Sequence, residues 1–158
     1  MKADLKELLT RESERVEWKE NVADFRDVVA TLTAFSNDFS NLGGGFVVCG
    51  AKEAKDEHGF PKFEAIGLTS AQLKEIEGKV LDHCRTRVDP SISPIVEEQE
   101  TSDPARRLLV FISPQSPYAH MYRRDNDSSG KYYIRSGRST IEARDGLQKE
   151  LLLQKKTI

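Results

Sequence analysis

One stretch leaves the rest of the chain few choices: an apolar helical repeat over Phe25 to Phe39, the run Ser40-Asn41-Leu42-Gly43-Gly44-Gly45, then Phe46-Val47-Val48-Cys49. Phe25, Val28, Val29, Leu32, Phe35 and Phe39 recur at three- and four-residue spacing, which predicts a helix with one apolar face and puts Arg26, Asp27 and Thr33 off it. Asp24 precedes the repeat and is the expected N-cap, its carboxylate accepting from the first unpaired backbone N–H groups. Asparagine and three glycines end the helix because they favour turns and positive φ. The apolar tetrad that follows lacks polar alternation, the mark of a central strand buried on both faces.

A buried helix and a central strand need a core to sit in. With 158 residues, 37% of them apolar and 32% charged, the chain is long enough for one domain without staples. No run approaches the ~20 apolar residues of a membrane span. The charged first twenty residues do not resemble a signal peptide, so the expected location is cytoplasmic. Cys49 and Cys84 are too few and too dispersed for a disulfide framework or a zinc site, and both are expected as reduced core residues. His58, His83 and His120 show no metal-ligand spacing.

Taken in order, Lys2 to Thr10 predicts a short helix with Leu5, Leu8 and Leu9 on one side. Val16 and Trp18 then alternate with Glu17 and Lys19, the period of a half-buried strand. Glu12 has the opposite parity to Glu17, so the two carboxylates converge only if the strand begins after Glu12 or is bulged. Ala51 to Gly59 reads as a charged hairpin or connecting loop before a strand near Lys62 to Ile66. Thr69 and Gln72 have capping-box spacing ahead of a helix whose apolar face carries Leu73, Ile76, Val80, Leu81 and Cys84. Gly78 inside it suggests a close helix-sheet contact. Ile95 to Gln99 and Arg107 to Ile112 predict a hairpin about the turn Thr101 to Ala105. Asp125 to Gly130 reads as a polar, mobile turn, Lys131 to Arg135 as a strand, Ser136 to Thr140 as a loop, and Glu142 to Gln154 as a last helix. This order predicts an α+β domain, a mixed β-sheet with helices packed on its faces.

The net charge of −2 argues against a uniformly basic surface, so any nucleic-acid contact must be local. Between His120 and Arg144 the cations Arg123, Arg124, Lys131, Arg135, Arg138 and Arg144 outnumber Asp125, Asp127 and Glu142, with Tyr118, Tyr122, Tyr132 and Tyr133 in and beside the run. Arginines neutralise phosphates and tyrosines stack on unpaired bases. An alternative fits equally well: a hairpin with its tyrosines in the core and its arginines solvated. The glycine triplet invites a phosphate-loop reading, but no Gly-Lys-Ser/Thr follows it and it precedes a strand. A tight helix-to-strand turn is the stronger reading.

Together, Glu12-Ser13-Glu14-Arg15-Val16-Glu17-Trp18-Lys19, Ala34-Phe35-Ser36-Asn37 with Gly43-Gly44-Gly45, Gly50-Ala51-Lys52-Glu53 and Tyr132-Tyr133-Ile134-Arg135-Ser136-Gly137 resemble the Schlafen-type AlbA-like domain, one domain within residues 1–158 with a core of about 12–145. The resemblance implies binding of RNA or DNA. Some members are endoribonucleases that cut structured RNA with a divalent metal, many bacterial members are front modules of larger regulators, and older descriptions assign ATP binding. By this resemblance Glu12, Glu17 and Glu53, or Asp56 in place of Glu53, are the acidic set for Mg²⁺ or Mn²⁺, hard cations that take carboxylate oxygens. Lys19 would hold the scissile phosphate, and Arg123, Arg124, Lys131, Arg135 and Arg138 would contact nucleic acid, with Arg135 and Arg138 foremost. The link from Asp38 to Leu42 is longer than the family's usual one, and Glu53 stands where the family has Asp. A non-catalytic DNA- or RNA-binding module serving a regulator or partner protein is the alternative. Schlafen cores resemble two lobes around RNA and this chain has room for one, which implies a homodimer.

Overall fold

The computed structural model describes residues 14–125 and 129–156. The expected helix at Lys2 to Thr10 and Glu12 lie outside the described residues, as do residues 126–128 of the expected mobile turn. Three helices and mixed sheets make the described part an α+β domain.

Helix α1 spans Phe25–Asn37, and Asp24 caps it by accepting from the Arg26 N–H at 3.0 Å. It stops two residues before Phe39 because Asp38 turns left-handed, at φ 44°. The chain then enters β2 (Gly44–Cys49), which pairs in parallel with β1 (Val16–Lys19) and antiparallel with β7 (Arg107–Pro114). β6 (Ile95–Glu100) completes the order β1-β2-β7-β6, so β2 is internal, as its apolar sequence predicts. One face of this sheet presents Val47, Cys49, Leu109 and Phe111 to α1. The other carries Val16, Trp18, Val48, Val110 and Ile112 and packs against the hairpin of β3 (Ala51–Lys55) and β4 (Pro61–Ala65) through Phe63 and Ala65.

A second four-stranded sheet crosses the opposite side of α1, in the order β10 (Ser139–Glu142), β9 (Lys131–Ser136), β8 (Met121–Tyr122), β5 (Val88–Asp89). α1 therefore runs between two sheets, and every residue from Val28 to Asn37 is buried, not one face alone. Its polar residues must find partners, since a buried unpaired group costs about 1–3 kcal/mol. The Thr33 hydroxyl donates to the Val29 carbonyl at 2.8 Å, and Ser36 Oγ lies 2.6 Å from Ser113 Oγ. Asn37 Nδ2 donates to the carbonyls of His120 (3.1 Å) and Tyr133 (2.8 Å), while its Oδ1 accepts from the His120 N–H at 2.7 Å. That amide bolts the helix end to the second sheet.

Helix α2 (Ser70–Thr86) starts with the expected Thr69/Gln72 capping box and buries Leu73, Ile76, Val80 and Cys84. Gly78 has no heavy atom within 4 Å of where a Cβ would stand, so it marks no close contact, contrary to expectation. The expected loop at Ser136 to Thr140 is instead a two-residue hairpin turn, Gly137-Arg138, with Ser136 paired to Ser139. Glu142 belongs to β10 and pairs with Tyr133, so the last helix, α3, spans Asp145–Gln154. Both cysteines are buried and free. No helix among the described residues is long and apolar enough to cross a membrane.

Candidate nucleic-acid interface

Strand parity decides where the β1 side chains go. Trp18 faces the β3–β4 hairpin, so Glu17 and Lys19 face α1, in register with Val47 and Cys49. There Glu17 Oε2 accepts from the Thr31 hydroxyl at 2.8 Å. Thr31 has spent its one hydrogen, so the Thr140 hydroxyl, 2.8 Å away, donates to it, and Arg135 Nη1 donates to Thr140 in turn at 3.1 Å. This ordered chain ties β1, α1, β10 and β9 together. Arg135 is 7% exposed, stands 5.1 Å from the Phe35 ring centroid and lies 3.5 Å from Glu17 Oε1. It is therefore a structural cation beneath the site and not a side chain presented by the loop.

Above this chain lies an open groove of about 310 Å³. Glu17 and Lys19 form one wall, Asp27, Ala30 and Thr31 of α1 the floor, and Arg124, Tyr133 and the Arg138-Ser139-Thr140 turn the other wall. Lys19 Nζ sits 3.9 Å from Glu17 Oε2. Arg124 binds Asp27 and also donates to Asp24 Oδ2 at 3.2 Å. Burial works against the Arg124 charge, but Asp27 and Asp24 outweigh it and raise its pKa. The Arg26 guanidinium holds the Asp24 carboxyl at about 2, against a smaller opposing effect of burial. Burial likewise raises the Tyr133 phenol, so it stays a hydrogen-bond donor. Arg138, at the turn tip, is exposed and makes no ion pair among the described residues.

Of the residues expected at the site, the groove thus gathers Glu17, Lys19, Arg124 and Arg138 on its walls and Arg135 underneath. Glu53 is not among them: it is exposed on β3, in the hairpin that covers the opposite face of the sheet. Asp56 is occupied in its own turn, accepting from the N–H groups of His58 and Phe60, each at 2.9 Å. Arg123 pairs with Asp89 at 3.5 Å and Lys131 with Glu142 at 3.8 Å, both outside the groove. Of the tyrosines in the basic segment, Tyr122 is fully buried and its hydroxyl meets His83 Nδ1 at 2.8 Å. Sequence reasoning missed Asp27, Thr31 and Thr140. Only Thr31 carried a signal, as a polar residue inside an otherwise apolar helical run.

The glycine turn is a different place with a different logic. Asp38 folds its carboxylate onto the turn, accepting from the Leu42 N–H at 2.8 Å and the Gly43 N–H at 3.0 Å. Those two backbone donors, the kind a phosphate would need there, are therefore taken.

The Schlafen, AlbA_2 family profile matches residues 12–144. Among solved structures, the N-terminal domain of a putative ATP-dependent DNA helicase RecG-related protein from Nitrosomonas europaea is similar at 23% identity with a TM-score of 0.54, covering 67% of this chain and 66% of that one. The DIP2311 protein from Corynebacterium diphtheriae is similar at 18% identity with a TM-score of 0.50, covering 82% of this chain and 22% of that one. Both likenesses are of fold, and this chain spans about a fifth of the length of the second protein. No curated protein matches the chain.

Proposed function

Because the chain belongs to the Schlafen AlbA_2 family, we propose that it is a nucleic-acid-binding domain that meets the phosphate backbone in the groove between β1, α1 and the β9–β10 turn. The observation that carries this reading is Arg138, an exposed guanidinium without an ion-pair partner among the described residues, set beside Lys19 and the hydroxyls of Ser139, Thr140 and Tyr133. Arginine, lysine and hydroxyl donors are the groups that hold phosphate oxygens, and since the Thr140 hydrogen is already given to Thr31, the hydroxyl donors here are Ser139 and Tyr133. The likeness to a protein described as DNA helicase-related favours the same partner class.

Binding is a better fit to the groove than metal-dependent cleavage. Glu17 is surrounded by Thr31, Arg135 and Lys19, cations and a hydroxyl, whereas a divalent ion needs several oxygen donors turned to one point. Among the described residues no group of three or more His, Cys, Asp or Glu could hold a metal ion. The Mg²⁺- or Mn²⁺-dependent endoribonuclease reading depends on Glu12.

The test is a titration of labelled structured RNA and duplex DNA at several salt concentrations. Arg138→Ala is expected to weaken binding across sequences and to flatten the log–log salt slope by about one unit. Unchanged affinity and slope would place the contact surface elsewhere. In the same reactions with Mg²⁺ or Mn²⁺ the RNA is expected to stay intact; metal-dependent cleavage that Glu17→Gln abolishes would replace this reading with the endoribonuclease.

A further inference from the structure

A second, wider depression of about 720 Å³ opens beside the first turn of α1, and Arg124 stands in the wall of both. Its other walls bring Arg26 of α1 against Lys79, His83 and Arg87, which come from α2 and its C-terminal cap. Arg26, Lys79, Arg87 and Arg124 line it with the carboxylates Asp24 and Asp125, while Asp27 and Glu75 reach Arg124 and Lys79 from outside the lining, so that of the four cations Arg87 alone makes no ion pair among the described residues. The acidic strand β6, with Glu97, Glu98 and Glu100, is at the far edge of the sheet from β1.

Resting on the nucleic-acid reading of the groove, we infer that a bound strand continues past Arg124 into this cleft, where Lys79, Arg87 and Arg26 receive its next phosphates. The cations are held ready for that role. Arg87 Nε donates to the Arg123 carbonyl at 2.9 Å and its Nη2 to the Asp125 carbonyl, contacts that aim the guanidinium without cancelling its charge. Arg26 is steadied by Asp24 at 3.0 Å and Asp125 at 3.4 Å. Lys79 rests 5.7 Å from the Phe25 ring centroid and pairs with Glu75 at 2.8 Å, both partners more than half exposed. Such a surface pair exchanges readily for a phosphate. Lys79, Arg87 and Arg26 lie outside the basic segment after His120, which reaches the cleft only through Arg124 and Asp125 in the loop after β8.

The test compares oligoribonucleotides of about 6 and about 20 nucleotides, long enough in the second case to leave the groove at about 3.4 Å of rise per nucleotide. Lys79→Ala is expected to weaken the longer one roughly fivefold, to reduce its salt slope by about one unit, and to leave the shorter one unchanged. Glu75→Gln frees Lys79 and is expected to tighten the longer one, a gain that misfolding cannot produce. If Arg138→Ala weakens the longer oligomer while neither Lys79→Ala nor Glu75→Gln changes it, the groove binds but the cleft is off the path. If Lys79→Ala weakens ATP and the short oligomer as much as the long one, the cleft is a free-nucleotide seat and the inference fails. If none of the three variants alters binding, the nucleic-acid reading of the groove fails with it.

Discussion

The two ends of α1 both offer donors to an anion, and they use them in opposite ways. At the C-terminal end the Leu42 and Gly43 N–H groups already hold the Asp38 carboxylate. At the N-terminal end Lys19 and Arg138 remain at the rim of an open groove. The glycines therefore answer a steric need and not a ligand. Gly44 sits at φ 93°, and a Cβ there would run into the Ser113 carbonyl oxygen of the paired strand; a Cβ on Gly45 would run into the Phe35 ring. The rarest composition in the chain marks a packing constraint, while the binding chemistry rests on ordinary residues brought together from distant segments.

The largest expected effect breaks the comparison if it fails. Gly44→Ala combines overpacking against backbone with a left-handed φ, which together put the loss at roughly 3 kcal/mol. Chemical denaturation measures it, and nucleic-acid affinity of whatever folded fraction remains should equal that of the wild type. Wild-type stability with lost binding would mean that the glycine turn is a ligand site after all.

Next in size is Asp38→Ala, which strips two backbone N–H groups of their acceptor and should cost about 1–2 kcal/mol. Nucleic-acid affinity, followed by anisotropy, is expected to hold. A tenfold change would show that the two ends of α1 act as one site.

Much of this division could be seen in the sequence. The helix and the central strand were legible because the periods of Phe25 to Phe35 and Phe46 to Cys49 are local properties, and the alternation of Val16 to Lys19 put Glu17 and Lys19 on one face. The polar partners of α1 were not legible. Asn37 meets His120 across 83 positions, and Thr31 meets Thr140 across 109, distances over which composition carries no pairing information. Glu53 enters the acidic set through the family resemblance alone, and nothing in Ala51 to Gly59 says which face of the sheet the hairpin will cover. An Arg between Ile and Ser-Gly looks like a strand end that faces solvent, yet Arg135 is covered from below by Phe35 of α1. The Gly137-Arg138 turn carried a usable sign in its glycine, which adopts φ 60°.

The smallest effect separates the two ends by protonation. His120, 3% exposed, has Nδ1 2.5 Å from the Pro90 carbonyl and Nε2 2.7 Å from Ser116 Oγ. A carbonyl only accepts, so Nδ1 carries the hydrogen and Nε2 of the neutral ring accepts from Ser116. Burial lowers the His120 pKa below 6.5, outweighing the Pro90 carbonyl, which favours the cation. The unfolded chain takes up this proton near 6.5 and the folded chain only at lower pH, so the stabilisation is complete above pH 6.5 and drains away as pH falls below it. Asp24 at the groove end works in a lower window: held at about 2 instead of 3.8, its contribution is complete above 3.8 and is lost between 3.8 and about 2, and solvent screening keeps it small. His83 is also lowered, by burial and by Arg87, so the experiment belongs in a His83→Gln background. There the His120 ring should titrate below 6.5 by NMR, and amide protection around Asn37 to Gly43 should begin to fall as pH drops below 6.5 while protection from Val28 to Thr31 persists down to the Asp24 window. Protection lost together at both ends would mean that α1 melts as one unit, and the contrast between its ends would not extend to their stability.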